Sequence, residues 1–144
     1  MNFKFIDTNV WIYRLFDDQR IEPRERQRKL KIATSITNQA NLTISTQVIN
    51  EISANLIKKA NFDETQIKAV IQSLYNRCQV VEFNLNILQS ASDLRMSYSL
   101  SFWDSLIVAS ALAGGADILY SEDMQDGLRV SGRVNIVNPF QSRE

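Results

Sequence analysis

Short apolar runs alternate with longer stretches of helical periodicity along the chain, and this alternation constrains the fold more than any other feature. Phe3-Lys4-Phe5-Ile6, Leu42-Thr43-Ile44-Ser45, Val80-Val81-Glu82-Phe83, Asp117-Ile118-Leu119-Tyr120 and Val134-Asn135-Ile136-Val137 read as strands, being short and mostly β-branched or aromatic. Between them lie helix signals with their own start and stop chemistry. Thr8 or Asn9 can cap a helix through Trp11, Ile12 and Leu15, and Pro23 suits the first turn of a second helix reaching about Ile36. Thr46 can cap a helix whose apolar set is Val48, Ile49, Ile52 and Leu56, and Asp63 with Gln66 makes a capping box before Ile67, Val70, Ile71 and Leu74. Asn84 leads into Leu88, Ala91 and Leu94, while Ser101 opens an almost wholly apolar helix that Gly114-Gly115 ends. Strands separated by helices of this length are βαβ units. They predict an α/β fold in three layers, with a central, mostly parallel sheet of four to five strands flanked by helices.

The 144 residues are expected to form a single domain spanning 1–144. The 4 glycines and 2 prolines form no linker-like cluster, and no repeat is visible. Apolar content of 44% with 22% charged residues is ordinary for a globular protein and argues against disorder. No apolar run reaches membrane-spanning length, and the start Met1-Asn2-Phe3-Lys4-Phe5 lacks the order of a signal peptide. The lone Cys78 excludes an internal disulfide, which fits a cytoplasmic location. Sixteen basic residues balance sixteen acidic ones, so no global field favours polyanions. Arg20, Arg24, Arg26, Arg28, Lys29 and Lys31 nevertheless crowd one segment, as a solvated helix face or as a phosphate- or partner-contacting patch.

In an open parallel sheet, ligands gather beyond the carboxyl ends of the strands. Asp7 ends the first strand there and opens Asp7-Thr8-Asn9, and Asp123 lies just past Tyr120. Asp104 sits in the apolar stretch Phe102-Trp103-Asp104-Ser105-Leu106-Ile107-Val108, which predicts deep packing around a carboxylate. Glu51 borders the Val48–Ile52 edge of its helix. Each acid has a plainer explanation: Asp7 as a strand end or helix cap, Glu51 on the surface, Asp104 in a cap with Ser101, and Asp123 and Asp126 as loop acids. Taken as a set, they could converge on one sheet edge, where like charges would repel unless a cation lay between them. The chain has no histidine, so the donors are oxygens and the matching ion is Mg²⁺, or Mn²⁺. Such a centre suits phosphodiester hydrolysis. Two other acid-bearing α/β classes fit poorly. A phosphoacceptor receiver needs an Asp ending a central strand and a late lysine, yet the second strand ends at Ser45 and no lysine follows Lys68. A haloacid-dehalogenase-like phosphatase needs Asp-x-Asp, and position 9 is Asn.

Four segments in order resemble the PIN domain, and more closely the VapC-like toxins of toxin–antitoxin pairs. They are Phe5-Ile6-Asp7-Thr8-Asn9, Val48-Ile49-Asn50-Glu51-Ile52, Trp103-Asp104-Ser105-Leu106-Ile107-Val108-Ala109-Ser110-Ala111 and Ile118-Leu119-Tyr120-Ser121-Glu122-Asp123. The resemblance implies a Mg²⁺-dependent ribonuclease with Asp7, Glu51, Asp104 and Asp123 as catalytic acids. Asp7, Asp104 and Asp123 would hold the metal, and Asn9 and Ser121 would orient the site. The last loop departs from the family's Asp-x-Asp-Phe, reading Asp123-Met124-Gln125-Asp126-Gly127, so Asp126 ranks below Asp123. The implied partners are an RNA substrate, a cognate antitoxin that inhibits the enzyme, and a second copy in a homodimer. A housekeeping RNA-processing nuclease without an antitoxin and a catalytically silent PIN-like interaction module are the alternatives. Trp11, Tyr13 and Phe16 could form a docking surface or dimer seam, or simply core; Tyr98, Phe102 and Trp103 carry the same choice, and Trp103, facing away from Asp104 on the helical wheel, could simply pack under the sheet.

Overall fold

The computed structural model describes residues 2–141. Along the chain run β1 (Phe3–Ile6), α1 (Thr8–Leu15), α2 (Pro23–Thr37), β2 (Leu42–Ser45), α3 (Thr46–Ala60), α4 (Glu64–Arg77), β3 (Cys78–Val81), α5 (Leu85–Ser97), α6 (Phe102–Ala113), β4 (Ala116–Tyr120), β5 (Arg129–Val130) and β6 (Val134–Val137). The strands make one sheet in the order β3-β2-β1-β4-β6-β5. Pairing is parallel from β3 through β6, and β5 runs antiparallel to β6. The chain steps outward from β1 to β2 and β3, then crosses back to β4. Right-handed crossovers therefore place α1–α4 and α5–α6 on opposite faces of the sheet. The order reverses between β1 and β4, which makes their carboxyl ends the crevice of the fold.

Burial follows from this double cover. All four residues of β2 are buried, as a strand covered on both faces requires. Every residue of α6 from Ser105 to Leu112 is buried too, which explains a helix apolar all round. Helix α3 is amphipathic instead, burying Val48, Ile49, Ile52 and Leu56. Each such side chain contributes about 1.5–3 kcal/mol relative to exposure. Asn61 ends α3 in the left-handed region at φ 55°. Asp63 and Gln66 form both bonds of the expected capping box.

Local departures have physical causes. Asp7 itself caps α1 and Ser45 caps α3, one residue before the caps expected from sequence. Ser45 is the last residue of β2 and doubles as the cap, while Asp7 is the single residue between β1 and α1. Strand β3 begins directly at the end of α4 and stops at Val81, because its partner β2 ends at Ser45 in register with Val81. The expected extension to Phe83 thus has nothing to pair with. A sixth strand, β5, arises from a tight hairpin: Ser131 and Gly132 both adopt positive φ, and the Arg133 N–H reaches Val130 O at 3.0 Å.

Trp103 does not pack under the sheet. It is 61% exposed, and Phe102 is 54% exposed, because the first turn of α6 projects beyond the sheet before burial begins at Ser105. Trp11 is core, and Tyr13 and Phe16 pack partly buried against it. Much of the basic segment is internally neutralised, by Arg20–Asp18, Arg26–Asp17, Arg28–Glu25 and Lys29–Glu122 pairs. Among the described residues, no helix is long and apolar enough to cross a membrane.

Candidate active site

Asp7 stands at the switch point, where its backbone N–H reaches Tyr120 O at 3.0 Å and links the ends of β1 and β4. Its side chain is almost fully buried. One oxygen, Oδ1, accepts the Thr8 N–H at 2.8 Å, and Oδ2 accepts the Ser121 hydroxyl at 2.9 Å. Ser121 in turn accepts the N–H groups of Asp123 and Met124 at 3.3 and 3.4 Å, which folds the loop after β4 back over the crevice. The three side chains of the Asp-Thr-Asn triplet each take a different partner. Asp7 meets Ser121, Thr8 Oγ1 donates to Glu51 Oε1 at 3.2 Å, and Asn9 Nδ2 donates to Asp123 Oδ2 at 2.6 Å. A single turn of chain thereby organises the acids supplied by α3 and by the β4 loop.

Asp104 occupies the first turn of α6. Ser101 Oγ accepts its backbone N–H at 3.1 Å, which is half of the capping box considered from sequence. The reciprocal bond is missing, and no described residue donates a hydrogen bond to the Asp104 carboxylate. The residue is half-buried rather than deeply packed, since it lies one position before the buried part of the helix.

Electrostatics tie the four acids into one group. Burial, opposed by the stabilising bonds from Thr8 and Ser121 and reinforced by the charges of Glu51 and Asp104, raises the Asp7 carboxyl to about 6. Glu51 is raised above the ordinary range by burial, opposed by the Thr8 hydroxyl and reinforced by Asp104. Asp123 is raised by burial, then by Glu122, with Asn9 opposing and Asp104 adding. The Asp104 charge is thus felt by all three others.

Convergence in charge is not yet convergence in coordination. Among the described residues, no three acidic or thiol side chains are arranged to hold one metal ion as they stand. Two orientations account for this, because both oxygens of Asp7 are hydrogen-bonded and Asp123 is drawn to Asn9. The donor chemistry nevertheless fits a hard cation: oxygen ligands, mutual repulsion, raised proton affinities and the undonated Asp104 carboxylate. Asp126 is engaged elsewhere, its Oδ1 accepting the Asn138 N–H at 2.8 Å and fastening the loop beyond β6.

Two supports of the site were not singled out from sequence. Glu122, next to Asp123, accepts from the Tyr13 hydroxyl and from Lys29 Nζ, the latter at 2.8 Å. Lys29 also donates to Tyr13 at 3.0 Å and lies 4.7 Å from its ring centroid. This knot fixes the base of the Asp123 loop, and nothing in the spacing of positions 13, 29 and 122 announces it. Thr8 as the holder of Glu51 was closer to hand, since it lies inside the triplet.

Fold and site together define a class: an α/β protein with an acidic centre at the switch point of a parallel sheet. Its family follows, for the PIN domain model matches residues 4–127 and the chain belongs to the PIN domain family. Among solved structures, the chain is similar to a toxin–antitoxin complex from Klebsiella pneumoniae, with a TM-score of 0.64 at 21% identity, covering 94% of this chain and 97% of that one. It is also similar to VapC20 of Mycobacterium tuberculosis, a toxin that cleaves the sarcin–ricin loop, with a TM-score of 0.61 at 17% identity over 83% of this chain and 89% of that one. The DNA-bound VapBC of Salmonella typhimurium gives a TM-score of 0.60 at 17% identity, covering 94% and 98%. At these identities the likeness concerns the fold. No curated protein matches the chain at a significant level.

Proposed function

We propose that the chain is a divalent-metal-dependent endoribonuclease, the toxin of a toxin–antitoxin pair, acting in the cytoplasm. The observation that carries this reading is the coupling of Asp7, Glu51 and Asp123 to the one charge of Asp104 at the switch point of a PIN domain. Asp7, Asp104 and Asp123 would hold the ion, Mg²⁺ or Mn²⁺. When bound, the ion makes a coordinated water more acidic and offsets charge on the scissile phosphate.

The protein's own groups supply the rest. Burial and the Asp104 charge raise the proton affinity of Glu51, which makes it a stronger base than an ordinary carboxylate. With Oε1 held by the Thr8 hydroxyl, its second oxygen takes the proton of the attacking water. The water oxygen bonds to phosphorus and the bond to O3′ breaks, O3′ taking a proton from solvent, which leaves a 5′-phosphate and a 3′-hydroxyl. Ser121 fixes the orientation of Asp7, and Asn9 that of Asp123. The antitoxin reading draws on the toxin–antitoxin complexes among the structural relatives.

Expression alone and together with the product of the neighbouring gene tests the proposal. The expected result is growth arrest with new 5′-phosphorylated RNA ends, relieved by the neighbour and lost in Asp7→Asn. Unchanged RNA ends on expression of the wild-type chain would refute it.

A further inference from the structure

Beside the acidic centre, toward β3, lies a groove of about 430 Å³ lined by Thr46, Gln47, Asn50, Glu51, Phe83 and Trp103. Its two aromatic walls come from separate elements, Phe83 from the segment after β3 and Trp103 from the first turn of α6. Both are exposed large apolar side chains, at 37% and 61%. The groove adjoins the proposed reaction centre through Glu51, which is one of its lining residues, and Trp103 directly precedes Asp104 in α6. Resting on the nuclease reading above, we propose that this groove is a nucleobase clamp: Phe83 and Trp103 stack a base of single-stranded RNA flanking the scissile phosphate.

The chemistry of the walls selects that occupant. No lysine or arginine lines the groove, so it offers a backbone phosphate no countercharge, whereas an uncharged π-face needs none. Two of the four polar lining residues, Gln47 and Asn50, are amides, which present donors and acceptors of the kind that read base edges. Gln47 Nε2 points to Trp103 O at 3.4 Å, tying the start of α3 to the start of α6. Its Oε1 is shielded from water and has no donor, so a base N–H would satisfy it only once the amide turns into the groove. The exposed Asn50 adds a second amide at the rim. An apolar side chain of a protein partner would fill the aromatic slot but leave these amides without partners. Sequence-specific RNA recognition works largely on splayed single-stranded bases stacked on aromatic side chains, and this groove offers that combination next to the acids. The clamp would hold the strand so that the phosphate beside the stacked base faces Glu51.

Trp103 also provides the readout. The other tryptophan, Trp11, is buried in the core, so ligand-dependent fluorescence changes report on Trp103. The experiment titrates the Asp7→Asn protein, which is not expected to cleave, with short single-stranded RNA of mixed sequence and with the same oligomer carrying abasic sites. The expected result is quenching by the intact strand and little by the abasic one, with binding of the intact strand weakened roughly 5- to 150-fold by Trp103→Ala. Phe83→Ala should weaken it similarly and Trp103→Phe much less, whereas Met96→Ala, an exposed apolar change on α5, should not. Both aromatic positions are solvent-exposed, so the truncations leave the core intact, and circular dichroism checks this. Equal binding of abasic and intact strands, with Trp103→Ala unchanged, overturns the clamp. If the wild-type protein still cleaves RNA in that case, the nuclease reading stands and the clamp alone falls. If the wild-type protein neither cleaves nor binds RNA, both fall. Quenching by the neighbouring gene's product but not by RNA would assign the groove to a protein partner and likewise overturn the proposal.

Discussion

Replacing Asp7 by asparagine should make the metal-free protein more stable at neutral pH, which is an unusual outcome for a residue placed at the heart of a site. Asp7 is buried, and its carboxyl is pushed from 3.8 to about 6, mainly by loss of water. A native-state pKa raised above the unfolded value means that the folded protein binds the proton more tightly. Stability therefore falls as pH rises from about 4 to about 6, and above that the ionised group destabilises the fold by roughly 3 kcal/mol. Asparagine removes the charge and keeps an acceptor for the Thr8 N–H. Its amide cannot accept the Ser121 hydroxyl at the other end, and Ser121 Oγ already receives the N–H groups of Asp123 and Met124. The displaced hydroxyl proton costs about 1–2 kcal/mol, leaving a net gain of about 1–2 kcal/mol at pH 8. Thermal melts in chelator from pH 4 to pH 8 check this. At pH 8 the Tm of Asp7→Asn should exceed the wild-type value by roughly 2–8 °C, with the two converging or crossing toward pH 4. A variant less stable than wild type at pH 8, with parallel pH profiles, would refute the electrostatic reasoning.

Two further outcomes follow from the same geometry. A divalent ion that relieves the repulsion should raise the wild-type Tm, by about 2.7 kcal/mol of stability at one hundred times Kd, and should do so much less in Asp104→Asn; equal shifts in both proteins would separate Asp104 from the metal. Gly114→Ala tests the packing behind the site, since an added Cβ would meet Thr43 Cγ2 at 2.8 Å, with Gln79 Nε2 and Val81 Cγ2 at 3.1 Å. A loss of about 1–3 kcal/mol in urea denaturation is expected, and an unchanged midpoint would show that the contact relaxes freely.

Sequence pattern located the elements because local chemistry and tertiary context agree in most of this chain. The apolar run of α6 is buried on every side between the sheet and α5, and the capping box at Asp63 and Gln66 forms as written. The hairpin around Ser131 and Gly132 escaped notice because a two-residue strand carries no periodicity. The choice between the two alternatives for Trp103 was not legible, because a helical wheel records direction around an axis and not distance along it; the first turn of α6 lies outside the sheet's cover. The acids themselves were legible as types at strand and helix ends. Their mutual orientation was not, since it depends on the hydrogen bonds Thr8–Glu51, Asn9–Asp123 and Ser121–Asp7, which span separations of 43 or 114 residues. The Tyr13–Lys29–Glu122 knot is invisible for the same reason.

The most direct test is an end-labelled single-stranded RNA incubated with chelator-stripped protein, with and without Mg²⁺ or Mn²⁺, for the wild-type chain and Asp104→Asn. Asp104 is chosen because its charge reaches all three other acids while its carboxylate supports no described hydrogen bond, so its loss should spare the fold. The account predicts cleavage by the wild-type protein that appears only when the ion is restored, and background cleavage by Asp104→Asn under every condition. Cleavage that persists in chelator, or a folded Asp104→Asn that cuts at the wild-type rate, would contradict it.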